Sequence, residues 1–351
     1  MKATPAQQTQ VWSRVRVGPV ALPWPAGDSG RAAWTRYAIG VVVLALPLLI
    51  LKDSPYYLNL LILTYAFAGL ASAWNIIGGF GGQFSLGHGV FFAAGAYTVA
   101  ILFTRLNISP WIGLVPAALI AAAIGGLISA PMFRLRGPFF SIATLALNQI
   151  ALVLVNYFKF LGGPRGVSIT FKPAFASMIF EEAWQYGLLT LFFCCVTIAA
   201  ALAVRRSRLG YYLLAVREDE DSARATGINA FSVKLYGMLI SSALTGIGGA
   251  IYAMYVLFID PPTVFSLPDI GVRFALLALI GGIGTISGPV VGAFLITPSA
   301  SYLRGALTSF RPGTHLIVLA LVLILAPIFM RRGIVGAAQD LARIYRRRRA
   351  H

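Results

Sequence analysis

Four acids stand in a row, Glu218, Asp219, Glu220 and Asp221, with Arg217 before them and Arg224 shortly after. The chain has only 11 acids against 28 basic residues, so this run is a feature and not background. Such residues offer charged docking; they bring no nucleophile–base pair and no metal-ligand set. Ser222 to Thr226 contains no helix breaker, and Gly227 can stop a short helix in the left-handed conformation. The acids then fall in the first turns, where the helix dipole favours them. Ala223, Ala225 and Gly227 add a small, close-packing surface. The plainer reading is a solvated connector, and the sharper one is a short helix that docks into another protein.

Elsewhere the ingredients of catalysis are missing. There is no G-x-x-x-x-G-K-[ST] phosphate loop, so the chain does not itself hydrolyse ATP, and there is no H-E-x-x-H. No metal site and no cofactor are expected. Cys194 and Cys195 are adjacent within an apolar run and read as small buried residues. His88 sits alone among glycines, a setting that favours local hydrogen bonding over catalysis, although it could contact a solute if it faced a path. Asn75, Gln83, Ser85, Thr144, Asn148, Gln149 and Asn156 are uncharged polar residues within apolar segments. Asn148, Gln149 and Asn156 share part of a helix face and are expected to bond between helices. All eleven acids read as lying in loops or tails, which leaves no intramembrane carboxylate for proton coupling. A path without such a group has to be driven from outside.

The elements that carry these residues are membrane spans. Hydrophobic residues make up 58% of the chain and charged residues 11%. Each span needs about 20 apolar residues. Ten apolar segments can be read: Tyr37–Leu51, Tyr56–Ile77, Phe84–Phe103, Trp111–Met132, Phe139–Leu161, Gln185–Val204, Leu235–Ile259, Ile270–Ile283, Val290–Leu303 and His315–Met330. The expected fold is all-α, a polytopic transmembrane helical bundle of about ten spans, with eight or nine if a segment is re-entrant. Residues 1–36 form an N-terminal tail, 37–333 the membrane domain and 334–351 a basic C-terminal tail. The first thirty-odd residues show no apolar core followed by a cleavage site, so no removable signal peptide is expected.

With ten crossings, both tails and the loops at 133–138 and 205–234 share one side. With Arg331 and Arg332 at the end of the last segment, they hold 20 of the 28 Lys and Arg residues, which makes that side cytoplasmic. The formal charge of +17 therefore reports topology and contact with anionic lipid, not nucleic acid.

Two glycine-rich breaks stand in corresponding halves. The first contains Gly78, Gly79, Gly81, Gly82, Gln83, Ser85, Gly87 and His88; the second contains Gly281, Gly282, Gly284 and Gly288. Both begin I-G-G-x-G. Paired interrupted helices point to a transporter's pathway or hinge. For Ala93, Gly95, Gly125 and Gly126, close helix packing is the expected role.

The stretch Arg217-Glu-Asp-Glu-Asp-Ser-Ala-Arg-Ala-Thr-Gly227-Ile-Asn229, then Lys234-Leu-Tyr-Gly and Thr245-Gly-Ile-Gly-Gly249-Ala-Ile-Tyr-Ala, carries a resemblance. It resembles the LivM-type permease subunits of bacterial ABC importers for branched-chain amino acids, over roughly Tyr56 to Met330. In that family the loop resembles the "EAA" segment that sits in a groove of the ATPase; here Ser222-Ala223 stands where two alanines are usual. The resemblance implies that Arg217, Glu218, Asp219, Glu220, Asp221, Ala223, Arg224 and Gly227 couple to a separate ATPase. It implies two ABC ATPase subunits, a second, LivH-like permease and a periplasmic solute-binding protein docking on loops such as Gly162–Trp184. It also implies a multi-pass protein of the bacterial inner membrane with both termini cytoplasmic. The solute implied is leucine, isoleucine or valine, while related permeases carry urea, amides or aromatic acids. The rival from another class is an ion-coupled secondary transporter. On this reading, Glu220→Arg or Gly227→Asp should abolish uptake while leaving the protein inserted.

Overall fold

The computed structural model describes residues 30–135, 137–308 and 333–337. The tenth apolar segment, His315–Met330, lies outside the described residues, as do most of both tails. The chain divides into two units at Val43/Leu44, within the first helix.

Helices dominate. They are α1 (Gly30–Leu51), α2 (Pro55–Asn75), α3 (His88–Leu106), α4 (Pro110–Met132), α5 (Pro138–Tyr157) and α6 (Ala183–Arg206). Then come α7 (Arg208–Glu218), α8 (Glu220–Ala225), α9 (Ala230–Val256), α10 (Pro261–Val264), α11 (Val272–Gly282) and α12 (Gly288–Thr308). A π-helical turn, Ile76–Phe80, prolongs α2, and a second, Leu267–Gly271, precedes α11. Proline opens α2, α4, α5 and α10, where its missing N–H costs nothing and its fixed φ suits the first turn.

Eight helices among the described residues are long and apolar enough to cross a membrane, and Gly288–Leu303 is a shorter apolar one. This matches a polytopic helical bundle. One span reaches further back than its apolar run suggested: Pro261–Gly282 joins α10, the π turn and α11 into one span-length piece. Asp269 therefore lies within a candidate span, not in a loop, which corrects the expectation that every acid sits outside the spans.

Burial ranks the helices. In the most apolar window of Pro55–Phe80, 89% of the residues are buried, against 17% for Pro138–Tyr157. The piece containing α2 is thus central, packed against α6, α9, α11 and α12. The α5 helix is peripheral, and its exposed Phe139, Ile142, Val153 and Tyr157 suit contact with lipid or another subunit.

Glycines let the inner helices touch. A Cβ on Gly95 would lie 1.9 Å from the Gly246 carbonyl oxygen, and one on Gly249 would lie 2.0 Å from that of Phe92. On Gly125 it would lie 2.4 Å from Ser242 Oγ. Small residues drive helix association where lipid removes the hydrophobic incentive, and α3 and α4 are held to α9 in this way. At the end remote from α8, strands β1 (Val167–Ser168) and β2 (Phe258–Ile259) pair antiparallel and tie the 162–182 loop to the end of α9.

Candidate functional site

The polar stretch between α6 and α9 is two helices and not one. Leu213 and Val216, three residues apart, are buried on one face of α7. Leu213 packs against Gly81 and Gly237, so α7 lies directly on the first glycine break. Asp219 then caps α8, its carboxylate accepting from Ser222 N at 2.6 Å, and Glu220 and Asp221 fill the first turn. Gly227, with φ +87°, closes the motif in the left-handed region that glycine adopts without strain.

The small surface expected from Ala223, Ala225 and Gly227 is split. Ala223 is buried inside the chain, whereas Ala225 and Gly227 are exposed. Glu220 is turned inward as well. Its Oε2 lies 2.6 Å from Lys234 Nζ on α9, and its Oε1 lies 2.6 Å from Arg224 Nη2. The Lys234 side chain is 2% exposed, so this pair clamps α8 to the foot of α9. Glu218, Asp221 and Arg224 remain on the outer surface beside Ala225 and Gly227.

The two glycine breaks meet. Asn75, fully buried, accepts from Gly284 N through Oδ1 at 2.9 Å and donates to the Thr285 carbonyl through Nδ2 at 2.8 Å. Both halves of one side-chain amide thus bond the backbone of the second break. Arg217, at the end of α7, donates from Nη1 to the Gly79 carbonyl at 2.7 Å. The same Nη1 lies 2.6 Å from where a Cβ on Gly284 would stand, and Gly284 has φ +75°. Gly79 faces Asn75 and Gly284, and Gly82 packs against the Arg217 side chain. Asn75, Gly79, Gly284 and Arg217 form one junction (two helices and two breaks) at which α7 touches both breaks. Arg205 adds a second cation here, its guanidinium 5.6 Å from the centre of the Phe80 ring.

The remaining break residues divide by role. Gly281 and Gly288 serve close approach: a Cβ on Gly281 would lie 1.7 Å from the Gly288 carbonyl oxygen, and one on Gly288 would lie 2.2 Å from that of Gly282. Gly282 accepts from Thr285 N and Oγ1, which caps the break. Gly78 packs on the Trp74 ring and Gly87 on the Thr144 backbone.

Between the π turn and α3, residues 81–87 form an irregular, non-helical segment. Trp74 Nε1 donates to the Ser85 carbonyl at 2.7 Å, which holds this segment against α2. Non-helical backbone inside a bundle survives only if its polar groups are bonded. Gln83 N donates to the Ile77 carbonyl and Leu86 N to Thr144 Oγ1, while Ser141 Oγ donates to the Phe84 carbonyl.

His88 belongs to this scaffold. Ser241 Oγ donates to the Ala73 carbonyl at 2.7 Å, so it must accept from His88 Nε2 at 2.9 Å. Nδ1 then accepts from Ser85 Oγ at 3.0 Å, which fixes a neutral imidazole with its proton on Nε2. His88 is fully buried and holds α3, α9 and the 81–87 segment together. Of the polar residues on α5, Asn148 is buried and donates to the Phe265 carbonyl at 2.8 Å, as interhelical bonding requires. Gln149 is exposed and Asn156 bonds within its own helix, so the expectation holds for Asn148 alone.

Comparison with known proteins bears on this geometry. A family model described as the permease component of the branched-chain amino acid transport system matches residues 56–327. The chain is 28% identical over 306 residues to the high-affinity branched-chain amino acid transport system permease protein LivM of Escherichia coli (strain K12), covering 80% of this chain and 71% of that protein. It is similar at the same identity over 307 residues to LivM of Salmonella typhimurium, covering 81% and 71%. To the permease protein LivH of Escherichia coli (strain K12) it is 25% identical over 300 residues, covering 78% of this chain and 91% of that one. No solved structure matches.

Proposed function

The chain belongs to the family of permease components of branched-chain amino acid transport systems, and from that premise we propose how it works as a multi-pass subunit of such an importer. It pairs with a second, related permease to enclose the path. Of two ATPase subunits in the assembly, one grips the exposed face of α7 and α8, and a solute-binding protein delivers leucine, isoleucine or valine at the other end. Relatives named both LivM and LivH support the paired permease. The basic residues around α7 and α8 support a cytoplasmic face there, in a bacterial inner membrane with both termini on that side.

The observation that carries this reading is the junction at Asn75, Gly79, Gly284 and Arg217. A segment that only joined two spans would have no need to bond the carbonyl of one interrupted helix while lying against the next. Glu220 and Lys234 fix α8 to α9, so a push on the exposed residues Glu218, Asp221, Arg224 and Gly227 moves α7, α8 and the foot of α9 together. Arg217 passes that movement to both breaks, where left-handed Gly82 and Gly284 can absorb a change of backbone direction. Within this group, Arg217, Glu220 and Ala223 act inside the chain, and the others present the surface for the ATPase.

The test is purification of the tagged chain from gently solubilised native membranes, followed by reconstitution. A co-purifying ATPase and second permease, with ATP-dependent uptake of leucine in vesicles, are the expected result. Recovery of the chain alone, with uptake that survives ATPase removal and collapses with an uncoupler, would turn the reading to an ion-coupled transporter.

A further inference from the structure

At the end of the bundle remote from α8 there is a cleft of about 760 Å³ lined by α2, α9, the Pro261–Gly282 piece and α12. Its volume falls within the roughly 300–1,000 Å³ of small-molecule sites. Its described lining is mostly apolar, and among the described residues it carries one side chain of each charge: Asp269 in the π turn and Arg273 at the start of α11. A π turn set into an α-helical piece is a rare feature that concentrates at functional sites. Here it places the carboxylate and the guanidinium on the same cleft.

Both groups are held in place. The Arg273 guanidinium lies 3.8 Å from the centre of the buried Phe67 ring, a stacking that fixes the plane of its donor fork. Asp269 accepts from Ser266 Oγ at 2.9 Å, and its own N–H donates back to that hydroxyl at 3.3 Å. Leu63, Ile270 and the Tyr56 and Tyr252 rings supply the apolar wall. A docking patch for another protein spreads charge over a rim, whereas these opposite charges line a recess beside apolar walls.

We propose that this cleft binds an α-amino acid with an apolar side chain: Arg273 takes the carboxylate, Asp269 the ammonium, and the Leu63–Tyr56 wall the side chain. The inference rests on the importer reading given above and extends it to the atoms that recognise the solute within the membrane subunit. A zwitterion sets a group of opposite sign against each of the two side chains, which neither a cation nor an anion can do. Arg gives the carboxylate a two-pronged contact that a lysine would not reproduce. The cleft therefore selects against amines and acids that share the branched side chain but lack one of the charges.

The experiment uses the chain reconstituted in vesicles with its co-purifying permease, ATPases and binding protein. The probe is a diazirine analogue of leucine, activated by light during turnover, with labelled peptides mapped by mass spectrometry. Wild-type complex should import the probe and carry label on Tyr56–Phe67 or Ser266–Arg273, displaced by leucine but not by 4-methylpentanoate or 3-methylbutylamine. Asp269→Asn and Arg273→Gln should each lower that label by about tenfold or more, with label on the binding protein unchanged. In Asp269→Asn, 4-methylpentanoate should become a better competitor relative to leucine. Label elsewhere in a complex that imports the probe, or equal label in the variants, overturns the site while leaving the importer standing. So does a loss of binding-protein-stimulated hydrolysis in the variants before any amino acid is added, since the two residues would then serve docking. If wild-type vesicles import no branched-chain amino acid, the importer reading fails, and this site with it.

Discussion

Arg217→Ala isolates the step from coupling segment to glycine breaks. It removes one hydrogen bond, from Nη1 to the Gly79 carbonyl at 2.7 Å. A bond with a charged donor contributes about 1.5–3 kcal/mol. Arg217 is exposed as a residue, so water competes and the lower end applies. At about 1.4 kcal/mol per decade, the bonded arrangement of the junction becomes about tenfold less favoured. The surface proposed to face the ATPase is untouched, so hydrolysis should persist while transport becomes inefficient. The assay measures leucine uptake and phosphate release in the same vesicles and takes their ratio, which should fall about tenfold. Arg224→Ala provides the contrast. The Arg224 side chain is 51% exposed and its ion pair is made within α8, so its loss should weaken ATPase docking and lower uptake and hydrolysis together, at a constant ratio. A wild-type ratio in Arg217→Ala, or the same uncoupling in Arg224→Ala, refutes the junction as the transmitting element.

Other substitutions probe the supporting contacts. Glu220→Gln leaves Lys234 charged and buried, which should lower stability by about 3 kcal/mol in a detergent unfolding titration; Glu220→Gln combined with Lys234→Met should recover most of that loss. Ser241→Ala strands the His88 Nε2 proton and should cost about 1–3 kcal/mol by the same titration, with the order of preference among leucine, isoleucine and valine unchanged in uptake competition. Gly227 takes φ +87° in open space, and aspartate tolerates that conformation better than alanine does. Uptake lost in Gly227→Asp but kept in Gly227→Ala therefore reports the ATPase surface, and the reverse order in an uptake assay would show backbone strain instead.

Features encoded locally were legible in the sequence. Apolar runs gave the helices, and Gly227 gave the end of α8. The I-G-G-x-G pairs marked both breaks. The α7 helix was hidden because its basic residues read as loop, although the spacing of Leu213 and Val216 was a usable signal of a buried face. Asp269 was misplaced because the apolar runs end at Ile259 and resume only at Ile270, which leaves it between them. Proline in fact opens α10 and sits in the π turn, which extends the span to include the carboxylate. The junction itself was not legible at all. Arg217 meets Gly79 across 138 residues and Gly284 meets Asn75 across 209, and no local rule pairs residues at such separations.

Two sites at opposite ends of a bundle need a rigid connection, and α9 is suited to that role. Lys234 at its foot is fixed to Glu220, Ser241 midway accepts the hydrogen bond of His88 Nε2, and Tyr252 near its far end lines the cleft. At about 1.5 Å per residue the span from Lys234 to Tyr252 covers about 27 Å. Gly246 and Gly249 bring its backbone against α4 and α3 with no room for a Cβ. Packing that tight does not deform gradually, so α9 has to move as one body with α3 and α4. The compliant points are then the glycine breaks beside α2 and between α11 and α12. A substitution that fills Gly246 or Gly249 should consequently disturb both ends together, whereas one at Gly284 should leave the cleft formed and cut it off from the ATPase. Photolabelling of the cleft in Gly284→Ala, measured beside uptake, separates these cases: label retained with uptake lost is the outcome this connection requires.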